Sequence, residues 1–85
     1  MKIEINISEY DIEEGLEYEW GDDCSLVTQL SNNSLVIEGN KPALELLAHH
    51  LFTLAQDEVP AQSHIHYDDL NFLKPGSCEF IIVRK

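Results

Sequence analysis

One segment, residues 39–56 (GNKPALELLAHHLFTLAQ), limits what this chain can become. It alone is long enough and periodic enough at 3.6 residues to form a helix; the rest alternates or turns. With Leu47 as reference, Ala43, Leu44, Leu47, Ala48, Leu51, Leu54 and Ala55 fall on one stripe. Asn40 stands where an N-cap belongs, and Pro42 sits in the first turn, where a missing N–H is harmless. A lone helix of this length is marginal in water, so its apolar stripe requires a sheet to cover. Leu46 and Phe52 lie off the stripe, as half-covered residues at the edge of the core or as part of a partner surface.

The remaining segments supply strands. Residues 2–8 place Ile3, Ile5 and Ile7 on one face, the pattern of a half-buried strand. After an acidic connector and a turn at Gly15, Leu16, Tyr18 and Trp20 alternate with Glu17 and Glu19 as a second strand. Residues 25–30 and 35–39 flank Ser31-Asn32-Asn33-Ser34, read as a four-residue hairpin turn, with Leu26, Leu30, Leu35 and Ile37 pointing inward. Beyond the helix, residues 64–67 and 78–84 read as antiparallel neighbours across a loop that ends in a Lys74-Pro75-Gly76 turn. The run Phe80-Ile81-Ile82-Val83 predicts little solvent on either face. The fold expected is one α+β domain over residues 1–85, a mainly antiparallel sheet with one helix packed on one face, in the order ββββαββ.

Size and charge restrict function. At 85 residues the chain buries only about 60–65% of its unfolded surface, which leaves little room for a deep cleft. Sixteen acids against five Lys and Arg give a net charge of −11. Residues 1–23 carry nine of those acids against Lys2 alone. Such a balance disfavours nucleic acid and anionic membranes, which require basic side chains, and suits an electropositive partner. The N-terminal MKIEINIS has no apolar signal core, and no run approaches the ~20 residues needed to span a bilayer, so a cytoplasmic location is expected. Cys24 and Cys78 read as small packing residues in that setting rather than as a disulfide.

One cluster invites chemistry: His64-Ile65-His66-Tyr67-Asp68-Asp69. His64 and His66 project from the same face of a strand, and with Asp68 they could begin a metal site, approached by His50 from the helix. Structural hydrogen bonds to Asp68 or Asp69 account for the same residues. No G-x-S-x-G, no cysteine in a catalytic context and no Gly-rich phosphate loop is present. The expectation is no enzyme, no cofactor and no bound metal; the alternative is a small metal-binding domain or metalloenzyme built on His64, His66 and Asp68.

The helix ending in Leu54-Ala55-Gln56, the strand His64-Ile65-His66-Tyr67-Asp68, then Asn71-Phe72-Leu73, Gly76-Ser77 and the closing stretch from Glu79 to Val83 together resemble the immunity protein 32 family. That family belongs to the immunity proteins of bacterial polymorphic toxin systems. The resemblance covers residues 40–85; Tyr67 stands where an aliphatic residue is expected, and Lys74-Pro75 where a more acidic turn is expected. It implies a small cytoplasmic protein that binds a cognate toxin and blocks it, a nuclease-like toxin with a basic cleft being one fit for so acidic a chain. Two surfaces are candidates for that contact: Tyr10, Glu13, Glu14, Glu17 and Glu19 in the acidic segment, and His64, His66, Asp68, Asp69 and Asn71 around the later strand. A third reading is a homodimer through a sheet edge or through Leu46 and Phe52.

Overall fold

The computed structural model describes residues 1–19 and 21–85. Its elements run β1 (Leu26–Ser31), β2 (Ser34–Gly39), α1 (Lys41–Leu54), β3 (His64–Tyr67) and β4 (Phe80–Val83). The α+β class holds, but the order among the described residues is ββαββ, and two antiparallel hairpins replace the single sheet. The hairpins are joined by residues 74–78, which bond to the outer edge of β1. Lys74 N–H donates to the Leu26 carbonyl at 3.0 Å and Cys78 N–H to the Thr28 carbonyl at 3.0 Å. The buried Thr28 hydroxyl donates to the Cys78 carbonyl.

The expected strands at residues 2–8 and 16–20 form no ladder among the described residues; Trp20 lies outside them. Alternation states where side chains point but names no partner for the backbone. Here the helix takes that role. Gln56 Nε2 donates to the Ser8 carbonyl at 3.1 Å, the Tyr10 N–H donates to Gln56 Oε1 at 2.9 Å, and His49 Nε2 meets the Asn6 carbonyl at 2.5 Å. Leu16 and Tyr18 still turn toward the core while Glu17 and Glu19 face solvent. Gly15 closes the intervening turn in the left-handed region (φ +76°), its N–H donating to the Asp11 carbonyl at 2.7 Å.

The helix begins as its sequence dictates. Asn40 Oδ1 accepts the Ala43 N–H at 3.1 Å, and the same oxygen accepts Ser25 N–H, so one side chain both caps α1 and ties it to the start of β1. The buried stripe is rotated from the expected one. Ala43, His50, Thr53 and Leu54 are buried, with Leu46 and Leu47 packed at their side, whereas Leu44, Leu51, Phe52 and Ala55 face solvent. Two polar residues can occupy the core because each is satisfied: Thr53 Oγ1 donates to the His49 carbonyl at 2.9 Å, and both His50 nitrogens have partners.

The first hairpin closes more tightly than expected. Asn32 (φ 50°) and Asn33 (φ 66°) form a two-residue turn with both centres left-handed, the geometry that suits the twist of paired strands. Leu26 and Thr28 are buried, but Leu30, Leu35 and Ile37, expected inward, are exposed because the hairpin runs past the core. The second hairpin pairs as expected, His64 opposite Val83 and Tyr67 opposite Phe80. Its terminal strand is wetter than its composition predicts: Ile81 and Val83 are half exposed, since no element among the described residues covers that face. The core gathers Leu26, Ala43, Leu54, Val59, Ile65, Tyr67, Phe72 and Leu73. Cys24 and Cys78 are both unbridged thiols.

Candidate functional site

At the centre of the molecule His50 is fully buried among aromatic rings. Tyr18 approaches it edge-on at 5.1 Å between centroids, and Tyr67 and Phe72 lie at 5.8 and 5.6 Å. The Glu19 carbonyl, 2.6 Å from Nε2, only accepts, so Nε2 carries the hydrogen. Nδ1 then accepts from the Tyr67 hydroxyl at 2.9 Å. Burial holds the imidazole below its ordinary pKa, favouring this neutral tautomer, and burial likewise pushes the Tyr67 phenol up. His50 is thereby a structural pin between the core and the acidic segment, on the opposite side of β3 from His64 and His66. It cannot join them in a metal site.

The acidic candidates cluster on the segment this pin holds. Tyr10 is half-buried against the core, while Glu13, Glu14, Glu17 and Glu19 are exposed. The Glu13 N–H donates to Asp11 Oδ1 at 2.8 Å, fixing the turn that presents them. Glu14 and Glu17 sit close enough that a shared hydrogen bond and their mutual repulsion raise the Glu17 pKa. Glu17, Tyr18 and Glu19 line a groove of about 330 Å³ with Asn6, Ser8 and His49. That arrangement is an acidic concavity on a segment braced by side chains of the helix, which already engage the Asn6 and Ser8 carbonyls.

The second candidate set divides. Asn71 serves its own loop: Oδ1 accepts Asp68 N–H at 3.1 Å and Phe72 N–H at 2.5 Å, and Nδ2 donates to the His66 carbonyl at 3.1 Å. Asp68 Oδ1 accepts Leu70 N–H at 2.9 Å, so it too shapes the turn. These bonds carry Phe72 and Leu73 into the core. His64 and Asp69 are exposed, and His64 Nδ1 lies 3.3 Å from the Gln62 carbonyl.

The trio of the alternative reading, His64, His66 and Asp68, does not assemble among the described residues. His66, Asp68 and Glu79 do, with one donor atom from each within 4.8 Å of the others and His66 Nε2 3.4 Å from Glu79 Oε2. Glu79 escaped the sequence reading because it enters from β4's side; extending the β3–β4 register by one pair sets it opposite Asp68. His66 and Glu79 are exposed and Asp68 is half-buried. Three donors in that geometry are compatible with a weak cation contact or with an ion pair between protonated His66 and Glu79.

Among the described residues no helix is long and apolar enough to cross a membrane. The chain is a small acidic α+β scaffold with an exposed carboxylate groove and a core closed around a neutral histidine. The family model for immunity protein 32 matches residues 34–85, more than half of the chain, and the chain belongs to that family. Comparison with curated proteins and with solved structures found no match. The matched region begins at β2 and takes in the helix, the His64–Tyr67 strand and the Asn71 loop, but not the acidic segment.

Proposed function

We propose that this chain is a toxin-neutralising protein that acts by binding and covering a cognate, basic, nuclease-like toxin domain in the cytoplasm of the cell that makes it. Family membership supports an inhibitor rather than an enzyme. The single observation that carries the electropositive partner is the charge: −11 overall, with nine of the sixteen acids before residue 24 and four of them presented at Glu13, Glu14, Glu17 and Glu19. A carboxylate rim speeds encounter with a basic cleft and then pairs with its Lys and Arg side chains. The His64, His66 and Asp69 face is the second contact surface in this reading. Asp68 and Asn71 hold its loop in shape.

The test is co-expression with the toxin encoded beside this gene, scored by survival, followed by association kinetics. Changing Glu14, Glu17 and Glu19 together to Gln should slow association by about ten-fold at low salt and lose that effect at high salt. Failure to protect the cell, or an on-rate indifferent to both salt and substitution, contradicts the proposal. A metal-binding domain remains the runner-up, favoured by the meeting of His66, Asp68 and Glu79. One zinc per chain in calorimetry, lost in His66→Ala, would move the assignment to it.

A further inference from the structure

The first hairpin carries a surface that the toxin reading does not use. Residues 24–37 contain no Asp, Glu, Lys, Arg or His, in a chain with 21 charged side chains among 85 residues. The ladder is directional here. Leu26 and Thr28 bond outward from β1 to residues 74–78, so the intervening Val27 and Gln29 face β2 and bond to Glu38 and Val36. It follows that Leu35 and Ile37 aim their N–H and C=O groups away from β1, along the outer edge of β2. Leu35, Val36 and Ile37 are each 38–45% exposed. Soluble proteins guard such an edge with Lys, Pro or a bulge, and β2 has none of these before Glu38.

We propose that β2 pairs with β2 of a second copy of this chain, antiparallel about a two-fold axis at Val36. The uncharged strand suits this occupant: a basic partner is drawn to the acidic segment, whereas two copies that each carry −11 oppose one another least where residues 24–37 bring no charge to the contact. An isologous contact also has to complement itself. In this register Leu35 and Ile37 of one copy exchange main-chain hydrogen bonds with Ile37 and Leu35 of the other, four bonds in all. Val36 faces its own mate, and Glu38 falls opposite Ser34 rather than opposite Glu38, so the one acid on the strand meets no like charge across the ladder. The product is a four-stranded sheet, β1–β2–β2–β1, in which Leu35 and Ile37 gain apolar neighbours on one face. Six residues of strand make a small interface, so the dimer forms only in concentrated solution.

Sedimentation velocity from about 5 to about 500 µM tests this, a range that brackets the affinities of small interfaces. The wild-type chain should pass from monomer to dimer. Val36→Lys and Val36→Glu should each weaken association at least about ten-fold by opposing like charges at the axis, and an equimolar mixture of the two should restore the dimer. Should either variant fail to fold, amide exchange of the wild-type chain decides. Exchange at Leu35 and Ile37 should slow as concentration rises, while Val36, already bonded within the hairpin, stays constant. A wild-type chain monomeric throughout, or exchange at Leu35 and Ile37 indifferent to concentration, overturns the proposal. A dimer intact in both Val36 variants but lost in Phe52→Glu also overturns it, placing the contact on the helix.

Discussion

The acidic N-terminal segment and the C-terminal half of this molecule are held in different ways. Residues 64–73 are locked by burial: Ile65, Tyr67, Phe72 and Leu73 are all core, and Asn71 knots the loop between them. Residues 6–19 are held by hydrogen bonds from the helix, through His49, His50 and Gln56, with Tyr10, Leu16 and Tyr18 only half-buried. The first arrangement gives stability. The second presents charge on a segment with less burial, and the family match covers only the first.

If His50 joins the two regions, His50→Ala should damage both. It leaves the Tyr67 hydroxyl and the Glu19 carbonyl without these partners and opens a cavity, a loss of about 3 kcal/mol readable in urea unfolding. A loss well under about 1 kcal/mol would mean that the regions are joined elsewhere. Acid probes the same pin. His50 titrates below its ordinary 6.5 when folded, so below about pH 6.5 the unfolded chain takes up a proton that the folded chain refuses. Its contribution is full above that pH and declines below it, by up to about 1.4 kcal/mol per pH unit until the folded pKa is reached. Easing of the Glu14–Glu17 repulsion acts in the opposite direction, so the measurement is the difference between wild type and His50→Gln; identical pH profiles would discount the pin.

Gln56→Ala addresses the N-terminal region alone. It removes the bonds to Tyr10 and Ser8 and should cost about 1 kcal/mol, with faster amide exchange at Tyr10 and unchanged exchange at Ile65 and Tyr67. Acceleration in both places would show that the two regions open together. Glu17→Gln should affect folding least. Its carboxylate is exposed and crowded by Glu14, so thermal stability should hold or rise slightly while association with a basic partner slows. A fall in melting temperature would give Glu17 a structural role.

Local chemistry announced much of this architecture. The Asn40 cap, Pro42, a hairpin turn within residues 31–34 and the pairing of residues 64–67 with the closing strand are all visible in the residue types, although the turn proved two residues long rather than four. What could not be read depended on distant partners. The rotation of α1 hides His50 and Thr53 and exposes Leu44 and Leu51, because Tyr67 and Glu19 satisfy the imidazole. Periodicity ranks polarity and so chose the wrong flank. Residues 2–8 alternate like a strand but spend their carbonyls on Asn6 and Ser8 contacts to the helix. For the candidate site, the exposed carboxylates were evident from composition. The structural duty of Asn71 and the arrival of Glu79 beside His66 required the loop and the register.

The hydrogen on His50 Nε2 lies in the seam between core and acidic segment, enclosed on all sides. In a proton NMR spectrum it should resonate far downfield and survive solvent exchange, because its acceptor is a short 2.6 Å away. Any ligand that grips or displaces residues 13–19 must tug on that acceptor. A single imidazole line, needing no label on the ligand, would therefore serve as a gauge of engagement.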